Sequence, residues 1–178
     1  MDEAKQTSGR SAGEVAAAIA DILAGEGADL VASLPDGWIA PLIKHLGGDA
    51  RFRHVPVNRE ESAVGLCSGA YFGGRMGVAL MGASGFLTCI YAITKINYTY
   101  QIPLLFLITL RGLPGDTARY HVSNALYLKP VIDAIDLPML TVERFDELPR
   151  IGEAYRHAQV LARPYVVGFT RDVLRGTR

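Results

Sequence analysis

Between Pro103 and Leu110 the chain reads Pro-Leu-Leu-Phe-Leu-Ile-Thr-Leu, apolar at nearly every position. A strand that is apolar on both faces has no side to offer water, so it belongs in the middle of a parallel sheet covered by helices. The surrounding segments match that setting. Short apolar runs at Asp29–Leu34, His54–Val57, Gly77–Met81, Met139–Val142 and Tyr165–Phe169 predict further strands. Helical patterns alternate with them. Ser11 and Glu14 are spaced as in a capping box, and Val15, Ala18, Ile19, Ile22 and Leu23 follow at helical spacing until Gly25 and Gly27. Pro35-Asp36-Gly37 turns the chain into a second helix through Leu46, closed by Gly47-Gly48. Glu60–Phe72 predicts a helix with Ala63, Val64, Cys67, Ala70 and Tyr71 on its inner stripe. Gly82–Gly85 predicts a tight turn before a helix, Phe86–Asn97, that is apolar almost all round. A polar loop, Arg111–His121, precedes helices at Asn124–Ile135 and Asp146–Ala162. Repeated strand–helix units predict a three-layer α/β domain with a mostly parallel sheet flanked by helices. It should occupy residues 11–178 as a single domain behind a polar, flexible segment at residues 1–10.

Composition removes several classes of function. Eighteen Lys and Arg balance eighteen Asp and Glu, so the basic stripe of a nucleic-acid binder is missing. Cys67 and Cys89 both sit inside apolar runs, which argues against a disulfide framework or a zinc site. Lys95, Asn97, Gln101 and Pro103 interrupt the most apolar region, and the first residues lack a signal pattern, so a soluble, cytoplasmic protein is expected. A mean hydropathy of +0.19 is high for a chain of this size. Part of its surface is therefore expected to lie against another subunit.

In a sheet of this kind ligands bind beyond the carboxyl ends of the strands, where the strand order reverses. The loops there are Pro35–Trp38, Asn58–Glu61, Gly82–Gly85 and Arg111–His121. Glu60 and Glu61 open a helix, where acids complement the dipole. Being adjacent they point differently, so one can cap the helix while the other faces the cleft. Gly82–Gly85 lacks the lysine of a P-loop and the spacing of a dinucleotide fingerprint. Gly-Ala-Ser84-Gly-Phe is not a nucleophile elbow. His45, His54 and His157 read as structural residues, whereas His121 ends a loop long enough to be functional.

In this order the pieces resemble a known family. Arg59-Glu60-Glu61-Ser62-Ala63-Val64-Gly65-Leu66-Cys67-Ser68-Gly69-Ala70-Tyr71 is similar to the glutamate helix of the pyrimidine-binding domain of thiamine diphosphate enzymes. Met81-Gly82-Ala83-Ser84-Gly85-Phe86-Leu87-Thr88 resembles that domain's Ser-Gly turn. Ile102-Pro103-Leu104-Leu105, then Arg111-Gly112-x-Pro114-Gly115 and His121, resembles the phosphonopyruvate and sulfopyruvate decarboxylase group of that superfamily.

The resemblance implies a thiamine diphosphate-binding fold and a role for each loop. Glu60 falls on the catalytic glutamate, which hydrogen-bonds N1′ of the cofactor's aminopyrimidine and favours its imino form for the decarboxylation of a 2-oxo acid. His121 is implied as a second catalytic residue. Pro35, Gly82, Ser84, Gly85 and Thr88 are implied as cofactor contacts, and Asp36, Arg111 and His121 as substrate contacts. No metal ligand is expected here, because the Gly-Asp-Gly motif that holds diphosphate and Mg²⁺ in such enzymes is missing. A separate β-type subunit is expected to carry it, in a heterodimer or α2β2 complex. Two departures stand out. Relatives commonly read Gln-Asn-Ser-Gly-Leu-Gly-Asn where this chain has Gly82–Thr88. Asp36, if unpaired, would repel a dianionic substrate and favour a different 2-oxo acid. A carboligase subunit, a non-catalytic scaffold and a Rossmann-type nucleotide module are the alternatives.

Overall fold

Six parallel strands form one sheet in the order β2-β1-β3-β4-β6-β5, where β1 is Leu30–Ser33, β2 Arg53–Pro56, β3 Gly77–Gly82, β4 Leu105–Thr109, β5 Met139–Val142 and β6 Tyr165–Phe169. This is a computed structural model, and it describes residues 9–177. The apolar run at Pro103–Leu110 supplies β4, buried at every residue between β3 and β6. Its two faces feed two different cores. Leu105 and Leu107 join Val31, Val78, Leu80, Val167 and Phe169 on one side. Phe106 and Ile108 join Ala32, Ala79, Met81 and Val166 on the other. The period-two alternation of a strand thus sends apolar side chains into two hydrophobic layers, and Thr109 at its end is the one polar residue of β4, also buried. The edge strands β2 and β5 are only partly buried, as their mixed sequences require.

Helices α1 (Ala12–Gly25), α2 (Ala40–Gly48), α7 (Arg150–Leu161) and α8 (Arg171–Arg175) cover the first face. Helices α3 (Glu60–Phe72), α4 (Ala83–Thr88), α5 (Ile90–Ala92) and α6 (Val122–Ala134) cover the second. The capping box expected at Ser11 is present: Glu14 N–H donates to Ser11 Oγ at 3.2 Å, and Ser11 N–H donates to the Glu14 carboxylate at 2.6 Å.

Several sequence expectations change. Gly82–Gly85 is not a separate turn; Gly82 is the N-cap of α4, and Ala83, Ser84 and Gly85 are its first residues. The helix expected at Phe86–Asn97 divides into α4, α5 and a π-helical stretch, Ile93–Tyr98. There Asn97 is buried, and its amide nitrogen donates to Ser68 Oγ at 3.1 Å and to the Ile102 carbonyl at 3.2 Å. Ser68, rather than Tyr71, completes the inner stripe of α3, and Tyr71 is exposed. The helix expected from Asp146 starts as a 3₁₀ turn, Phe145–Glu147, because Pro149 cannot donate to a continuous helix. Helix α8 is only five residues long and gave no periodic signal. Residues 1–8 of the expected flexible segment lie outside the described residues. Arg10 is held, its guanidinium carbon 3.8 Å from the Phe145 ring centre.

The chain passes from β1 outward to β2 and returns to β3 on the opposite side of β1. The carboxyl ends of β1 and β3 therefore diverge and leave a crevice between their loops.

Candidate active site

Three loops meet at that crevice. After β1, Asp36 folds back so that the Trp38 N–H donates to Asp36 Oδ1 at 2.9 Å, a local turn that aspartate favours. The other oxygen, Oδ2, would lie 2.7 Å from a Cβ at position 82, so the glycine there makes room for Asp36. After β2, α3 opens with the two glutamates, and the structure separates them. Glu61 pairs with Arg59 at 3.2 Å; its own backbone N–H and then Arg59 hold its carboxyl below the usual carboxylate range. Glu60 has no hydrogen-bond or ion-pair partner among the described residues and is half-buried. Its carboxyl lies against Gly85 in the first turn of α4, where any Cβ would overlap it. Gly82 and Gly85 thus owe their identity to the two carboxylates they face. Burial, and after it the charges of Glu61 and Glu60, push the Cys89 thiol up to about 12, so it stays protonated and inert.

The loop after β4 brings in the cation. Arg111 donates from Nε to Asp36 Oδ2 at 2.8 Å and lies 2.6 Å from the same oxygen through Nη2. Both side chains are nearly buried, 12% and 14% exposed. Asp36 is therefore paired, and the objection that a lone carboxylate would repel a dianionic substrate does not hold. The guanidinium also stacks on Trp38, 4.3 Å from the ring centre. Its Nη1 lies 3.0 Å from His121 Nε2, and His121 Nδ1 lies 2.7 Å from Asp116 Oδ2. His121 is buried, with both ring nitrogens engaged. The Gly112 backbone N–H, with help from the Ala118 N–H and the His121 ring, holds the Asp116 carboxyl below the usual range.

The turn at Gly112 makes this loop possible. Its φ is +78°, and a Cβ there would overlap the His121 carbonyl, which is backbone and cannot swing aside. Gly112→Ala should therefore cost about 1–3 kcal/mol, lowering Tm by about 2–4 °C per kcal/mol for a chain of this size. Gly65→Ala in α3, where a Cβ would meet open space, should leave Tm unchanged or raise it. Thermal unfolding of the two variants side by side checks this.

Other expected site residues are placed as follows. Pro35 is exposed in the loop after β1. Ser84 and Thr88 are exposed on α4, but their hydroxyls are already donated, Ser84 to Asn124 Oδ1 at 3.0 Å and Thr88 to the Gly85 carbonyl at 2.7 Å. A cleft of about 330 Å³ opens beside the network, lined by Trp38, Leu113, Asp116, Thr170 and Arg171 among others. A wider depression between α1 and α2, about 790 Å³, contains none of the expected residues. Among the described residues no three His, Cys, Asp or Glu side chains gather as a metal site. No described helix is long and apolar enough to cross a membrane. Sequence reasoning missed Trp38 and Asp116. The signal for Asp116 was its place five residues before His121, in a loop framed by Gly112 and Gly115.

A glutamate at the start of α3, with no hydrogen-bond or ion-pair partner among the described residues, thus rests on a glycine of α4 beside the β1/β3 crevice. Residues 13–127 match the family described as thiamine pyrophosphate enzyme, N-terminal TPP binding domain, and the chain belongs to that family. The matched segment contains Asp36, Glu60, Gly82, Gly85, Arg111, Asp116 and His121.

Within the family its similarity lies with the sulfopyruvate and phosphonopyruvate decarboxylases. The chain is 32% identical over 121 residues to the sulfopyruvate decarboxylase subunit alpha of Methanococcus maripaludis, covering 68% of this chain and 72% of the relative. It is 31% identical to the subunit of the same name from Methanocaldococcus jannaschii, with the same coverage. It is 29% identical over 150 residues to the phosphonopyruvate decarboxylase of Streptomyces viridochromogenes, covering 83% of this chain but 37% of that protein.

Proposed function

We propose that this chain is the pyrimidine-binding, alpha-type subunit of a thiamine diphosphate-dependent 2-oxo acid decarboxylase. A separate β-type chain would hold the diphosphate and Mg²⁺. The observation that carries the reading is the Glu60 carboxyl, without a partner among the described residues and resting on Gly85 at the β1/β3 crevice. These residues fit the cofactor: the glycine keeps a side chain out of the space that the carboxyl needs, and the carboxyl is free to engage a ring nitrogen. When bound, thiamine diphosphate supplies the electron sink that a 2-oxo acid requires to lose carbon dioxide.

Glu60 would share a proton with N1′ of the aminopyrimidine, the one tuned proton this chain contributes. Arg111, its charge matched by Asp36, would form a rigid wall of the substrate space. Ordered walls of this kind contribute by holding the reactants in an attack geometry. The expectation of a partner has its own support. The second helical layer leaves Leu66, Phe72, Tyr91, Leu126 and Tyr127 exposed, Phe72 and Tyr91 at 73%. Apolar exposure concentrated on one layer marks an interaction surface. The relatives named subunit alpha support the same reading.

The test is to tag the chain in its native host, isolate what copurifies, and assay carbon dioxide release from 2-oxo acids with thiamine diphosphate and Mg²⁺. The chain alone should be inactive, and the complex should release one carbon dioxide per 2-oxo acid consumed. An aldehyde product marks decarboxylation, and an acyloin marks carboligation. A complex that binds no thiamine diphosphate would overturn the proposal.

A further inference from the structure

Decarboxylation as proposed above assigns no task to Asp116. A guanidinium carries only donors. At 3.0 Å from His121 Nε2, Arg111 Nη1 must donate, and Nε2 must accept. The single ring proton of a neutral imidazole then sits on Nδ1, where Asp116 Oδ2 accepts it at 2.7 Å. Asp116 is itself fixed, with Gly112 N–H donating to Oδ2 at 2.9 Å and Ala118 N–H donating to Oδ1 at 3.1 Å. At the far end the guanidinium grips Asp36. Four side chains thus connect the loop after β4 to the loop after β1, in an order dictated by which atoms can donate.

We propose that Asp116 is a positioning residue: acting through His121, it selects the imidazole tautomer that steers Arg111 onto Asp36 and into the crevice. The inference deepens the proposed function, and its consequence for activity rests on that reading. Without the Asp116 carboxylate Nδ1–H loses its acceptor, and only the Arg111 contact opposes a move of the proton to Nε2. After such a move donor would face donor, and Arg111 would lose His121, one of the two side chains it hydrogen-bonds. A side chain that only stapled the loop would fix the Gly112 and Ala118 amides but leave the imidazole proton where it was.

Two-bond ¹H–¹⁵N spectra of the full chain at neutral pH read the tautomer of each histidine. His121 is assigned by its disappearance in His121→Asn. In the unsubstituted chain His121 should be the Nδ1–H form. Asp116→Ala should convert it, wholly or partly, to Nε2–H, while His45, His54 and His157 keep their spectra. Asp116→Asn is the second variant, isosteric with aspartate. It retains one oxygen for the three donors and should give an intermediate tautomer ratio.

In the copurified complex, Asp116→Ala should lower kcat/KM about 10- to 100-fold, the effect of a misplaced wall rather than of a lost proton. An Nε2–H form in the unsubstituted chain, or an Nδ1–H form that persists in both variants, would overturn the inference. An unsubstituted complex without decarboxylase activity would count against the proposed function, while the tautomer spectra would still decide the role of Asp116.

Discussion

Glu60→Gln in the assembled enzyme should lower turnover by about 10²- to 10⁴-fold, the range attributable to one positioned proton-sharing group. The substitution keeps the shape and removes the charge. Because the Glu60 carboxyl has no hydrogen bond or ion pair among the described residues, nothing in the chain's own packing should register the loss. The melting temperature and the association with the partner should therefore stay near those of the unsubstituted protein. The same exchange at Glu61 makes the contrast. That side chain is held by Arg59 and its own backbone, and its loss should remove only a weak exposed pair, with turnover preserved. Steady-state rates and thermal unfolding of the two variants decide between them. A Glu60→Gln enzyme with full rate would remove the carboxyl from the mechanism.

Gly85→Ala should have an effect of similar kind from the other side of the contact. The added Cβ would overlap the Glu60 carboxyl, which is the far end of a flexible side chain and can move away. Folding should survive, aided by the better helix propensity of alanine in α4. The displaced carboxyl should not function, and a shift of about an ångström can cost about 10²-fold in rate. Because both substitutions act on one contact, Glu60→Gln combined with Gly85→Ala should be little worse than Glu60→Gln alone. Multiplicative losses would show that Gly85 acts elsewhere, for instance through the hydroxyl contacts of Ser84 and Thr88 in the same helix.

Much of this architecture is legible in the sequence because its signals are local. The apolar run at Pro103–Leu110 could serve only as a doubly covered strand, and it became β4. The limits of α3, β5 and β6 follow from the residues between their ends, and these segments form as expected. The errors are local, but their causes are tertiary contacts. The small residues of Gly82–Gly85 read as a turn, yet three of them begin α4, because the glycines serve Asp36 and Glu60 rather than the backbone. Tyr71 fitted the apolar stripe of α3, but the buried amide of Asn97 needed a polar neighbour, and Ser68 faces inward in its place.

Hydrophobic patterning along the chain determined the strands, most of the helices, the two-sided burial of β4 and a helix start at Glu60. Tertiary structure decided which of two adjacent glutamates stays unpaired, and that Asp36 is neutralised by a residue 75 positions away. It also decided that Asp116, His121 and Arg111 join in one hydrogen-bonded chain, and that most of the exposed apolar side chains fall on the second helical layer. The reason is physical. Periodicity records how each segment meets water, whereas the partner of a charged group depends on which strand ends become neighbours, and strand order is set only when the layers pack.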